Sequence, residues 1–228
     1  MLFRSKEILI KGLIYLEIHG ENDGIKTFGA RTSYDFYCYQ KSYIGLSKIK
    51  TIDNIIEEIN LSKWKFIPNG KFSEFEYMIT FNGLSNVDVI HSYSSYETRK
   101  KFMSKTKSEE FIYPCIYTIT KDNTKNLYWS NTNKNGHFGI SKVIWSNGMA
   151  SPPTSDKNGE YGLTQFAYAI VDKKENIDNI QKAMSSNKFI NFMKYCYMSS
   201  GNRFDIKVIS LFRDRKSTRL NSSHQIIS

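Results

Sequence analysis

From Val87 onward the chain is cut into short stretches of strand-forming residues, Val87–Ile90, Tyr113–Thr120, Leu127–Ser130 and Phe138–Trp145, by turn signals at Asp122-Asn123, Asn133-Lys-Asn-Gly136 and Ser146-Asn-Gly148. Runs this short, rich in Val, Ile, Tyr and Trp and bounded by Asn, Asp and Gly, favour strands joined by tight connections over long helices. Periodicity then changes. Ile177, Ile180 and Met184 share one helical face, and Phe189, Phe192, Met193 and Cys196 recur at i, i+3, i+4 and i+7, so two helices are expected before a stop at Gly201-Asn202. A last apolar stretch, Asp205–Phe212, is expected to return to a sheet as a strand. The pattern is mixed α and β (α+β): a small β-rich domain with a C-terminal helix pair.

The first part is less regular. Glu7–Ile18 is apolar without clean periodicity and ends in the turn cluster Gly20-Glu-Asn-Asp-Gly24, so it fits helix or strand. Thr32–Tyr39 is dense in β-formers and, with Lys48–Ile52, suggests a hairpin. Trp64–Pro68 reads as a strand closed by Asn69-Gly70, and Phe72, Phe75, Glu76 and Ile79 fall at helical spacing.

With 228 residues, 40% of them hydrophobic, the chain can bury a core for one domain or one and a half. Lys and Arg total 32 against 22 acids, and the resulting +10 charge predicts a surface that attracts a polyanion. No run approaches the roughly 18 apolar residues of a membrane span, and the N-terminus lacks the ordered regions of a signal peptide, so a soluble, unsecreted protein is expected. Cys38, Cys115 and Cys196 are too dispersed for a Cys-x-x-Cys site and read as ordinary buried thiols, while the four histidines lack metal-ligand partners at i+3 to i+5, so no metal site is expected.

The last fifteen residues, Asp214–Ser228, form a polar run that looks like the translation of a sequencing adapter; a basic tail is the other reading. Setting them aside removes Arg215, Lys216 and Arg219 against Asp214, and the basic surplus survives.

Leu16-Glu-Ile-His-Gly-Glu-Asn-Asp-Gly-Ile-Lys-Thr-Phe-Gly-Ala-Arg-Thr-Ser-Tyr-Asp-Phe-Tyr-Cys-Tyr39 resembles the late hairpin of the catalytic domain in restriction-modification adenine-specific DNA methyltransferases. Tyr113-Pro-Cys-Ile-Tyr117, Asn133-Lys-Asn-Gly-His-Phe-Gly-Ile-Ser-Lys-Val-Ile-Trp145, Asn158-Gly-Glu-Tyr-Gly-Leu-Thr-Gln-Phe166 and Lys207-Val-Ile-Ser-Leu211 are similar to their target-recognition domain. The resemblance implies that residues 1–50 are the end of a Rossmann-like catalytic domain and that 51–213 form the target-recognition domain that binds double-stranded DNA, while the adapter-like residues 214–228 are expected to be an artefact. It implies a cytoplasmic protein of a prokaryote or a virus-infected host cell. It also implies methyl transfer from S-adenosylmethionine to a flipped-out adenine in the intact parent.

This chain carries neither motif that the chemistry needs. No Phe-x-Gly-x-Gly turn precedes a helix, and the only Pro-Pro, in Ser151-Pro-Pro-Thr154, lacks the aromatic residue that would stack on the base. An incomplete chain, inactive alone and binding no cofactor, is therefore expected, with no catalytic residue of its own.

By resemblance Phe28 stands where an aromatic stacks on the flipped base, with core packing as the other reading, and Lys26 and Arg31 could hold phosphate beside it. The richest local signal for DNA contact is Ser92–Lys107, where Tyr93, Tyr96, Arg99, Lys100, Lys101, Lys105 and Lys107 mix cations, rings and hydroxyls in the proportions of a phosphate-contacting segment. Lys134, Asn135, His137 and Lys142 could extend that patch, and Tyr161, Thr164 and Gln165 form a polar-aromatic loop suited to base readout or to packing. Two rivals stay open: a non-catalytic DNA-binding specificity module, and a metal-dependent nuclease for which Asp172-x-Lys174 and Asp205-x-Lys207 supply only half a motif.

Overall fold

The structure, a computed structural model, describes residues 12–80, 86–91, 94–146, 151–199, 203–204 and 206–212. The chain is mixed α/β with several small sheets. Its described residues form two compact units, one drawn from residues 1–86 and 192–228 and one from residues 87–191. The fold thus has a boundary at Val87, whereas the resemblance implies one after residue 50. Residues 214–228 lie outside the described residues.

In the first unit, β1 (Leu13–His19) is central, with β2 (Tyr34–Tyr39) antiparallel on one side and β3 (Ser47–Lys50) parallel on the other, followed by antiparallel β4 (Ile56–Ile59). Thr32–Tyr39 and Lys48–Ile52 therefore do not form the expected hairpin: β1 lies between them. The reason that β1 has no clean period is now visible. Its register shifts between Leu13 and Tyr15, and this one-residue irregularity lets Leu13 point inward together with Leu16 and Ile18.

The expected turn at Gly20–Gly24 is instead the start of helix α1 (Glu21–Phe28). Asp23 Oδ2 accepts the Gly20 N–H at 3.1 Å and closes the first turn, as a helix N-terminus requires. Gly24 sits inside the helix because a Cβ there would lie 1.8 Å from the Thr32 carbonyl oxygen, so the returning chain passes where a side chain would be.

Leu61–Lys63 is a short 3-10 turn, and the segment expected as a strand from Trp64 is irregular; its rings pack on α2 (Phe72–Met78). Trp64 meets Phe72 edge-on at 5.1 Å, and Phe66 meets Phe75 at 5.5 Å. Aromatic burial, more than ladder hydrogen bonding, fixes this stretch.

The second unit holds two four-stranded sheets. The chain runs through β5 (Asp88–Ile90), β6 (Met103–Ser104), β7 (Tyr113–Ile119), β8 (Lys125–Ser130), β9 (Lys142–Ser146), β10 (Thr154–Asp156), β11 (Gly162–Leu163) and β12 (Ala167–Val171). One sheet has the order β10-β9-β12-β5 and the other β11-β7-β8-β6. Ile116, Ile119, Ile144, Leu163, Ala167 and Ala169 form one buried cluster that draws on both sheets, and Ser146 Oγ accepts the Ile119 N–H. A second cluster, Tyr96, Met103 and Cys115 with Phe102, Tyr128 and Phe138, lies on β6–β8 and its flanking loops. Helix α3 (Ile177–Met184) buries Ile177 and Met184 against β9 and β10, and α4 (Asn187–Met193) follows.

The expected strand from Phe138 begins only at Lys142. Gly136, His137 and Gly139 all have positive φ, which a strand cannot hold.

The chain returns to the first unit, where Phe192 packs on Phe75 at 4.0 Å, and continues through β13 (Tyr197–Ser199) and β14 (Arg203–Phe204). The expected final strand is instead a short helix, α5 (Ile206–Ile209). Val208, Ile209 and Phe212 are the buried residues, and their spacing is that of a helical face, whereas strand alternation would have placed Ser210 inside. Cys115 and Cys196 are buried as expected, but Cys38 is exposed on β2.

A fully buried ion pair joins the first two strands, in sheet order, of the sheet β10-β9-β12-β5. Lys142 Nζ lies 2.6 Å from Asp156 Oδ2, with side chains 0% and 1% exposed. The ammonium also donates to the carbonyls of His137 (2.7 Å) and Ile140 (3.2 Å), so all three of its protons are used. Asp156 in turn accepts the N–H groups of Glu160 (2.8 Å) and Tyr161 (3.1 Å). Removing the carboxylate strands a buried cation and two backbone donors, while removing the ammonium leaves Asp156 its two donors. Asp156→Ala is expected to cost about 3–5 kcal/mol and to exceed Lys142→Met in urea unfolding. Equal or reversed costs would show that the pair does not organise the unit.

Candidate nucleic-acid interface

The polar residues that the sequence assigned to DNA contact divide into two sets. One set is internal. Lys142 is consumed by Asp156 and two carbonyls, His137 is buried with its Nδ1 accepting the Leu163 N–H at 3.2 Å, and Thr164 is buried. Tyr96 is fully buried, and burial pushes its phenol up to about 12. Tyr96, His137, Lys142 and Thr164 are therefore corrected from contact residues to internal supports: a side chain without solvent access cannot reach a phosphate or a base edge.

The other set is exposed. Arg99, Lys100, Lys101, Lys105 and Lys107 all face solvent, as do Lys134 and Asn135. Two turns shape the segment, with Lys100 N–H on the Glu97 carbonyl and Met103 N–H on the Lys100 carbonyl, both at 3.0 Å. Arg99 stands 4.0 Å from Glu97 and is 88% exposed, so that ion pair holds it weakly.

Buried Tyr96 and two loop-to-loop hydrogen bonds join the two exposed stretches. Tyr96 OH accepts the backbone N–H of Asn135 at 3.1 Å, Asn135 Nδ2 donates to the Ser95 carbonyl at 3.2 Å, and Asn131 N–H donates to the Phe102 carbonyl at 3.1 Å. The loop carrying Lys134 is thereby fastened alongside the basic segment. Gln165 is half-buried and spent on Thr98, accepting its N–H (3.2 Å) and donating to its hydroxyl (2.9 Å). Tyr161 packs against the inner cluster and has Lys125 over its ring at 5.9 Å. Both act as local supports in this arrangement. Tyr93 lies outside the described residues.

In the first unit Phe28 is 56% exposed and meets Tyr34 edge-on at 5.0 Å, so it is not a core residue. Tyr34 stacks on His19 at 4.4 Å and shares a hydrogen bond with Thr27 at 2.9 Å. Lys26 is exposed in the last turn of α1, and Arg31 pairs with Glu21 at 3.4 Å. The three residues belong to one helix and the loop that follows it.

Sequence reasoning passed over Trp129, whose ring lies beneath Lys107 Nζ at 5.0 Å. Alternation along Lys125-Asn-Leu-Tyr-Trp-Ser130 places it on the face of Leu127, but its neighbour Lys107 arrives only through the β6–β8 pairing, which no local pattern reveals. The half-motif Asp172-x-Lys174 is used structurally: Asp172 Oδ1 accepts the Lys173 N–H and Asn176 Nδ2, and Lys174 Nζ donates to Asn158 Oδ1. Asp205 lies outside the described residues. Among the described residues no group of three or more His, Cys, Asp or Glu could hold a metal ion, and no helix is long and apolar enough to cross a membrane. No protein-family model matches the sequence, and no curated protein matches it.

His137 sets a pH dependence. Burial, reinforced by the Lys142 charge, holds its imidazole down to about 4 from an ordinary 6.5. A depressed base stabilises the fold fully above its unfolded value, and that contribution is lost as pH falls from about 6.5 toward 4. The loss is on the order of 3 kcal/mol. His137→Asn retains an acceptor for Leu163 and tolerates the positive φ, so the variant is expected to show a shallower fall in unfolding free energy across this window. An unchanged slope in urea titrations at stepped pH would exclude His137 as its source.

Proposed function

We propose that this chain is the DNA-reading part of an S-adenosylmethionine-dependent, adenine-specific DNA methyltransferase of a restriction-modification system, and that Arg99, Lys100, Lys101, Lys105 and Lys107, with Lys134 and Asn135, contact the duplex. The observation that carries the reading is the exposure of these residues on two loops that Tyr96 and Asn135 fasten together. Five exposed cations on one short segment, with hydroxyl residues among them, are the residue types that contact a phosphate backbone. The basic surplus of the whole chain would draw the polyanion in.

Under this reading residues 1–50 are the end of a Rossmann-like catalytic domain, and the parallel pairing of β1 with β3 suits that origin. Exposed Phe28 would be available to stack on an extrahelical adenine, with Lys26 and Arg31 near its phosphates. The parent would act in the cytoplasm, where its DNA is. The strand-to-helix junction between β1 and α1 has a single glycine, and its N–H is taken by Asp23, so this junction is not a glycine-rich cradle. We assign no step of methyl transfer to this chain. A non-catalytic specificity module would use the same surface.

The test is duplex binding by the full chain, followed by fluorescence anisotropy over a salt series. Lys100→Ala/Lys101→Ala/Lys105→Ala is expected to weaken binding and to flatten the dependence of log Kd on log salt by about 0.9 for each phosphate that is no longer neutralised. Binding and slope unchanged by the triple substitution would remove the basic segment from the interface.

A further inference from the structure

The chain has three tryptophans, and two of them, Trp64 (3% exposed) and Trp145 (2%), are core residues. Trp129 is half-buried on β8, where its cross-strand partners are Pro114 on β7 and Ser104 on β6. Partners directly opposite share a face of the sheet, and both are short side chains that leave the larger indole with an open side. Ser104 also redirects the chain. Its hydroxyl donates to the Thr106 carbonyl at 2.8 Å and accepts the Thr106 N–H at 3.1 Å, so the backbone turns after β6 and brings Lys107 back over the Trp129 ring.

We propose that Trp129 is a positioning residue of the DNA-contacting surface, holding the exposed Lys107 ammonium over its π face so that the cation meets a phosphate already ordered. The inference rests on the DNA-reading role proposed above. A free lysine loses rotamer freedom when it contacts phosphate; a ring that already confines the ammonium reduces that cost. Indole is the strongest of the aromatic faces for a cation, and Trp129 is the penultimate residue of β8, beside the end of the basic segment. Trp129 thereby ties the rigid sheet to the last cation of the segment.

Two measurements on the full chain test this with a short duplex of mixed sequence. Since the other two indoles are buried, iodide quenching of tryptophan fluorescence reports on Trp129. Duplex saturation is expected to reduce that quenching, because phosphate displaces iodide from the Lys107 ammonium. In the binding assay, Trp129→Leu is expected to weaken affinity about two- to fivefold, with partial recovery in Trp129→Phe. In Lys107→Ala the Trp129→Leu effect is expected to vanish, since the ring acts through the lysine. Quenching unchanged at saturation, or Trp129→Leu and Lys107→Ala effects that simply add, would overturn the role of Trp129 while leaving DNA binding intact. A wild-type chain that fails to bind duplex even at low salt would overturn the DNA-reading role and this inference together.

Discussion

The ion pair between Lys142 and Asp156 is the constraint on which the second unit depends. A bare ammonium at full burial is among the most expensive groups a small domain can contain, and here it is tolerable only because a carboxylate and two carbonyls surround it. These partners come from two separate stretches of chain. Asp156 comes from β10 and also gathers the backbone of Glu160 and Tyr161, while the carbonyls of His137 and Ile140 come from the loop with positive φ that precedes β9. One side chain therefore decides the paths of two loops, and the strands between them follow.

Those loops lead to the surface. His137 is pinned at its carbonyl by the Lys142 ammonium and at its ring by the Leu163 N–H, so the residues just before it, Lys134 and Asn135, emerge at a defined place beside the basic segment. The chain thus separates two uses of polarity that look alike in sequence. Lys134 and Lys142 belong to one short stretch of sequence, yet one faces water and the other is consumed in the interior.

What could be read from sequence followed from local physics. The spacing of Phe72, Phe75 and Ile79 and of Ile177, Ile180 and Met184 identified helices that the structure contains, and the strands at Tyr113 and Leu127 were marked by their own composition. What failed was nonlocal or irregular. The pairing of β1 between β2 and β3 depends on a parallel contact no turn announces, the phase slip after Leu13 hid a strand, and Gly24 looked like a turn residue because the Thr32 backbone that requires it arrives from outside the helix. The exposed cations of the candidate site were legible from charge alone. Their neighbours Tyr96, His137, Lys142 and Thr164 were not, because burial is a property of the assembled sheets; Trp129 was missed for the same reason.

The bond from Tyr96 to the loop at Asn135 has a consequence for how such a surface changes over generations. The phenol grips the main-chain N–H of Asn135, which every residue but proline offers. Gly136 and His137, with their positive φ, are confined by conformation, and Asn135 is held by its amide on the Ser95 carbonyl, but position 134 has neither constraint. Position 134 on the exposed loop is thus free to be rewritten while the anchor beneath it stays the same, so the surface can acquire new chemical preferences without the fold having to be rediscovered.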